Sequence, residues 1–230
     1  MKLGLKFIDL THTLTADTPT WDGHCGFKYQ IAHDYADGEE VDNFRIQHLN
    51  INAGIGTHID APNHYIEGAS SIADLQLSEL ISPCVKVDVS KKADETYQVS
   101  VADLASFEAR HGRIKRGVMV IFYSGWSKFW QDKKKYHNNY RFPSVSKEAC
   151  EYLLERDIAG IGIDTLSPDV PESGYPVHNL LLAKNKYIVE NIANADKLPE
   201  IGAYSIALPI KGAFLTEAPM RLVAFMPNKK

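Results

Sequence analysis

Short apolar runs broken by Gly, Pro, Asp and Ser recur along the chain, and they predict strands more often than helices. The runs are Phe7 to Leu10, Phe27 to Ala32, Cys84 to Val89, Val118 to Tyr123, Ile158 to Ile163, Tyr187 to Val189, Tyr204 to Leu208 and Arg221 to Phe225. Two helices are predicted by their caps. Ser100 starts one that continues to about Arg110, with Gly112 just past its end, and Ser146 starts another that carries Leu153 and Leu154. Strands interleaved with a few helices predict a mixed α/β domain, and the excess of strands argues against a regular doubly wound sheet.

Bulk properties narrow the classes. A chain of 230 residues that is 44% hydrophobic can bury a core without disulfides or a structural metal. One domain spanning 1–230 is expected. A net charge of −4 gives no reason to expect nucleic acid or an anionic membrane as a partner. No window is apolar and long enough to span a bilayer, and Lys6 and Asp9 interrupt any secretory h-region. Cys25, Cys84 and Cys150 form no Cys-x-x-Cys pattern and read as reduced thiols of a cytoplasmic protein, with packing a better explanation than catalysis.

The densest candidate chemistry is Gly54-Ile55-Gly56-Thr57-His58-Ile59-Asp60-Ala61-Pro62-Asn63-His64. Two glycines and a proline argue against a helix. In an extended chain the even positions share a face, so His58 and Asp60 could bind one cation, with His64 reaching the same cavity. Imidazole and carboxylate suit Zn, Mn or Fe, and such a cation makes a nucleophile of water near neutral pH. A histidine off the metal could then protonate a leaving amine. A turn of solvated polar residues is the competing account.

A second polar cluster follows Ile161-Gly162-Ile163-Asp164-Thr165. Pro168, Pro171 and Pro176 mark a loop before His178, and a short strand leads to Glu190. His178 and Glu190 flank apolar segments and are candidate ligands, although the residues alone favour an ordinary surface His and Glu. His111 is expected to cap a helix end, His137 to be exposed and His12 to be a satisfied buried histidine. Asp132-Lys133-Lys134-Lys135 is expected on a solvated helix face or loop. There is no Gly-x-Ser-x-Gly and no dinucleotide fingerprint.

Taken in order, these segments resemble the cyclase-like metal-dependent hydrolases, the family of bacterial kynurenine formamidase and isatin hydrolase. The hallmark His-x-Gly-Thr-His-x-Asp-x-Pro-x-His matches residues 56–64 except at its start. Ile8-Asp9-Leu10-Thr11-His12, Pro19-x-Trp21, Ser124-Gly125-Trp126, Gly162-Ile163-Asp164-Thr165, Ser167-Pro168-Asp169, His178-Asn179-Leu180-Leu181 and Ile188-Val189-Glu190-Asn191 extend the resemblance nearly end to end. It implies a swivelling β/β/α fold, a strand-rich mixed sheet with a few helices, and a homodimer or homotetramer. It implies metal ligands at His58, Asp60, His178 and Glu190, and a general acid/base at His64.

The hallmark's first histidine falls on Gly54, which has no side-chain donor. One Zn or Mn ion is therefore favoured over two, with Asn52, His48 or His24 as possible replacements. The expected activity is hydrolysis of a small aryl formamide or cyclic amide. A non-hydrolytic binding protein, or a lyase or cyclase on the same fold, is the alternative. Trp21, Phe27, Tyr65 and Trp126 are candidate walls of the substrate pocket, and each could equally be core.

Overall fold

The computed structural model describes residues 4–36 and 43–228. In chain order the strands are β1 (Leu5–Asp9), β2 (Phe27–His33), β3 (Ile46–Ile51), β4 (His58–Asp60), β5 (Ile81–Asp88), β6 (Gln98–Val99), β7 (Met119–Tyr123), β8 (Ser144–Val145), β9 (Gly160–Ile163), β10 (Tyr187–Glu190), β11 (Ala203–Ile206), β12 (Glu217–Pro219) and β13 (Val223–Pro227). The α-helices are α1 (Leu77–Leu80), α2 (Val101–His111), α3 (Lys133–His137), α4 (Lys147–Leu154) and α5 (Pro176–Leu182).

Nine strands join in one sheet in the order β1-β13-β11-β5-β7-β9-β10-β4-β12. Its centre, β5-β7-β9-β10, is parallel, and both flanks are antiparallel. At β7, β9 and β10 the parallel centre is covered on both faces, which is why these strands read as mostly apolar runs. Along β7, Met119 and Ile121 enter one core while Val120 and Phe122 enter the other. The second core is closed by α2, α4 and α5 through residues such as Leu104, Phe107, Leu153, Val177 and Leu181.

Each predicted strand run overlaps an observed strand, but the run at Phe27 belongs to a separate ribbon, β2 paired with β3. Both predicted helices form as expected. Ser100 and Asp103 make a reciprocal capping box at the start of α2, and Gly112 ends it at φ 84°. The Ser146 side chain accepts from the Ala149 N–H at the start of α4. The lysines of residues 133–135 lie on the exposed side of α3. His111 Nε2 meets Glu200 Oε2 at 2.6 Å, and His137 Nε2 lies 2.9 Å from the Trp21 carbonyl. His12 departs from expectation. It stacks on Trp130 with ring centroids 3.8 Å apart, yet its buried Nε2 has no hydrogen-bond partner among the described residues. Burial lowers its pKa to about 4, so the ring stays neutral.

Candidate metal centre

The site forms where three short strands meet the N-terminal turn of α5. Register places its side chains. Strand β10 runs antiparallel to β4 with Glu190 opposite His58 and Ile188 opposite Asp60. Strand β12 flanks β4 on the other side with Glu217 opposite Asp60 and Pro219 opposite His58. Residues directly opposite in a sheet project to the same face, so His58, Asp60, Glu190 and Glu217 share one face while Ile59 enters the core behind them. Helix α5 carries His178 to the same place.

Each imidazole is aimed by a partner on its far nitrogen. His58 Nδ1 lies 2.8 Å from the Gly56 carbonyl, which can only accept, so Nδ1 carries a proton and Nε2 faces the carboxylates. Gly56 holds φ 59°, a left-handed conformation suited to glycine. Its carbonyl also accepts from Asn191 Nδ2 at 2.9 Å, and Tyr136 donates its hydroxyl to Asn191 Oδ1 at 2.9 Å. His178 Nδ1 meets Asp169 Oδ2 at 2.8 Å, which turns its Nε2 toward Asp60 and Glu190. Such outer partners fix ring orientation and raise ligand basicity.

The two Nε2 atoms converge on buried carboxylates. His58 Nε2 is 3.4 Å from Asp60 Oδ1 and 3.4 Å from Glu190 Oε2. His178 Nε2 is 3.5 Å from Glu190 Oε1 and 3.8 Å from Asp60 Oδ2. Both oxygens of Asp60 are buried without a hydrogen-bond partner among the described residues, although its side chain is only 1% exposed. A buried carboxylate with no donor is costly. A divalent cation removes that cost, and the imidazole and carboxylate donors suit one, so the residues present fit a metal. Burial opposes charge on both imidazoles. The surrounding carboxylates, Asp60 first for His58 and Asp169 first for His178, outweigh it and raise both pKa values to about 10. Burial pushes the Glu190 carboxyl up, with the Asp60 charge adding to it, whereas His58 overcomes burial to hold Asp60 below its usual value.

The cavity above these residues measures about 330 Å³ and is walled by Trp21, Tyr65, Leu166 and Tyr175, with His64 at its rim. His64 reaches it from a 3₁₀ turn, Pro62–His64, and not from an extended strand. The Tyr65 ring lies 4.8 Å from His178 and 6.0 Å from Tyr175, which is 6.2 Å from Trp21. The structure does not bring Phe27 or Trp126 here. Trp126 is packed against Phe129 in a separate aromatic cluster, where its indole N–H donates to the Tyr136 carbonyl at 2.9 Å. Phe27 lines a different groove with Leu14, Cys25 and Tyr29. Among the residues considered as stand-ins for the missing donor, His24 and His48 are exposed and Asn52 lies beside Gly26. Sequence reasoning missed Glu217, whose Oε1 stands 3.9 Å from His58 Nε2, as well as Tyr175 and Asp169 in its role behind His178.

The family model described as "Putative cyclase" matches residues 8–170, more than half of the chain. The chain belongs to this cyclase family. An isatin hydrolase from Roseibium aggregatum is 34% identical over 188 residues, covering 75% of this chain and 72% of that one. A kynurenine formamidase from Bacillus anthracis is 24% identical over 226 residues, covering 95% and 96%. Among solved structures, isatin hydrolase A from Labrenzia aggregata bound to benzyl benzoate superimposes with a TM-score of 0.88 at 28% identity, over 97% of this chain and 94% of that chain. The family's swivelling α/β architecture, with its large mixed sheet and few helices, is the architecture seen here.

Proposed function

We propose that this chain is a metal-dependent hydrolase that opens the C–N bond of a small aryl formamide or cyclic amide. The observation that carries this reading is the Asp60 carboxylate, buried with neither oxygen in a hydrogen bond among the described residues and ringed by His58, His178 and Glu190. Asp60, His178 and Glu190 would hold the cation, with His58 beside them. When bound, it supplies a Lewis acid that polarises a carbonyl and activates water at neutral pH. The protein's own groups do the rest. Gly56 and Asp169 hold the two imidazoles in place through their Nδ1 atoms. Trp21, Tyr65 and Tyr175 offer aromatic faces to an aryl substituent and displace water from the cavity. His64, with its side chain 27% exposed, stands where a solvent-linked group can hand a proton to the departing nitrogen.

Nitrogen and oxygen donors without a thiolate favour Zn or Mn, and the set of Asp60, His178 and Glu190, buried throughout, is the tighter ion position. The chain works as a single domain and a homodimer or homotetramer; exposed Tyr29, Ile31 and Leu49 on the β2-β3 ribbon support an assembly surface. Three cysteines without a disulfide support a reducing, cytoplasmic setting.

The test is a panel of N-formyl aryl amines, cyclic imides and lactones, assayed with metal-loaded and chelator-treated protein. Metal-dependent release of an aryl amine or ring-opened acid supports the reading. Tight binding of these compounds with no turnover in either state would move the chain to the non-hydrolytic alternative.

A further inference from the structure

Glu217 opens the edge strand β12, outside every motif that drew attention in the sequence. Its carboxylate is folded over β4 into the space above Gly54. A Cβ built on residue 54 would lie 2.2 Å from Glu217 Oε1 and 3.4 Å from His58 Nε2. Any side chain at 54 would therefore compete with this carboxylate for one volume, and glycine leaves that volume to Glu217. Oxygen and nitrogen atoms from His58, Asp60 and Glu217 all lie within 4.8 Å of one another.

Asp60 supplies an independent reason to place a cation there. Its two buried oxygens, neither in a hydrogen bond among the described residues, aim in different directions: Oδ1 lies 3.4 Å from His58 Nε2, and Oδ2 lies 3.8 Å from His178 Nε2. One oxygen serves the group formed with His178 and Glu190. The other faces His58 and Glu217 and would remain unsatisfied if only the first position were filled.

We propose that Glu217 is a metal ligand that completes, with His58 and the shared Asp60, a second divalent-cation position beside the one formed by Asp60, His178 and Glu190. This rests on the metal-hydrolase reading above. The second position is the weaker of the two. Glu217 is 23% exposed, and its other oxygen, Oε2, lies 3.5 Å from His64 Nδ1, so His64 competes for the same carboxylate. Two carboxylates and one imidazole make an oxygen-rich site suited to Mn²⁺.

The experiment titrates chelator-stripped protein with Mn²⁺ and follows free Mn²⁺ by electron paramagnetic resonance, giving stoichiometry and affinity without an assay of activity. Wild-type protein is expected to bind two ions per chain, the second more weakly. Glu217→Ala should keep the tight ion, which also shows that the variant is folded, and weaken the second by about tenfold or more, since even groups behind the ligands change affinity by about 10–100-fold. Glu217→Gln, which keeps the shape without the charge, should behave similarly. The double variant Gly54→His, Glu217→Ala should regain the second ion, because an imidazole then fills the vacated volume. Binding of one ion only by wild-type protein, or two ions bound equally well by wild type and Glu217→Ala, would overturn the role of Glu217. Failure of wild-type protein to bind any Mn²⁺ or Zn²⁺ would instead remove the underlying metal reading.

Discussion

Asp169 holds His178 by two atoms at once: its Oδ2 meets the ring Nδ1 at 2.8 Å and accepts the backbone N–H of the same residue at 3.0 Å. Its other oxygen accepts the Val177 N–H at 3.2 Å. The carboxylate therefore ties the first turn of α5 to the ring it presents. Asp169→Asn should keep the fold but weaken the tight metal position by about 10–100-fold, the usual effect of losing a group behind a ligand. Competition with a chromophoric chelator measures this directly; unchanged affinity would show that His178 needs no support.

The roles of His64 and Asp60 separate by two readouts on one preparation. His64→Asn should leave metal content nearly unchanged and lower turnover by about a hundredfold or more, within the range for losing a general acid/base. Asp60→Ala should lose metal and activity together, because both cation groups include it. Loss of metal from His64→Asn would make it a ligand, and full activity would reduce it to a brace for the loop.

Acid stability should depend on Glu108. It accepts from Arg156 Nε and Nη2, each at 3.1 Å, and from the Tyr152 hydroxyl at 2.6 Å. The Arg156 guanidinium holds its pKa down to about 2, from an ordinary 4.5. A depressed carboxylate adds stability that is fully present above 4.5 and disappears as pH falls through 4.5 toward 2. At pH 7 that contribution is on the order of 2 kcal/mol after allowance for solvent screening. Urea unfolding of Glu108→Gln should show a loss of this size at pH 7 and a shallower decline between pH 4.5 and 2.

Thiol reactivity should divide the cysteines. Burial pushes the Cys84 and Cys150 thiols up to about 12, whereas Cys25 is exposed. Native protein at pH 8 should take up one equivalent of an alkylating reagent, at Cys25, and three equivalents once unfolded. Mass mapping of the labelled peptides checks the assignment.

The sheet's interior was legible because β7, β9 and β10 are buried along nearly their whole length and carry mostly apolar residues. The flanks were not. Strands β4 and β12 have three residues each, too few to show a period, and are held by pairing with neighbours distant in sequence. Helix α5 hid inside a proline-marked loop because it is seven residues long and opens on Pro176. His58, Asp60 and His64 could be named together because they sit in one segment. Glu217 could not, since only sheet register brings it opposite Asp60. Trp126 looked like a pocket wall because sequence does not show where an indole N–H finds its acceptor.

The strand order also dictates when the molecule can become complete during synthesis. Among the described residues the first strand, β1, finds its sheet neighbour only in β13, and β13 also covers the outer edge of β11. Until residue 227 has emerged from the ribosome, two open strand edges remain available to other chains. The carboxylate on β12 likewise arrives long after the histidine of β4. A nascent chain thus carries a partial site and unpaired edges together, so premature release or truncation near the C-terminus should favour aggregation over a soluble, metal-free intermediate.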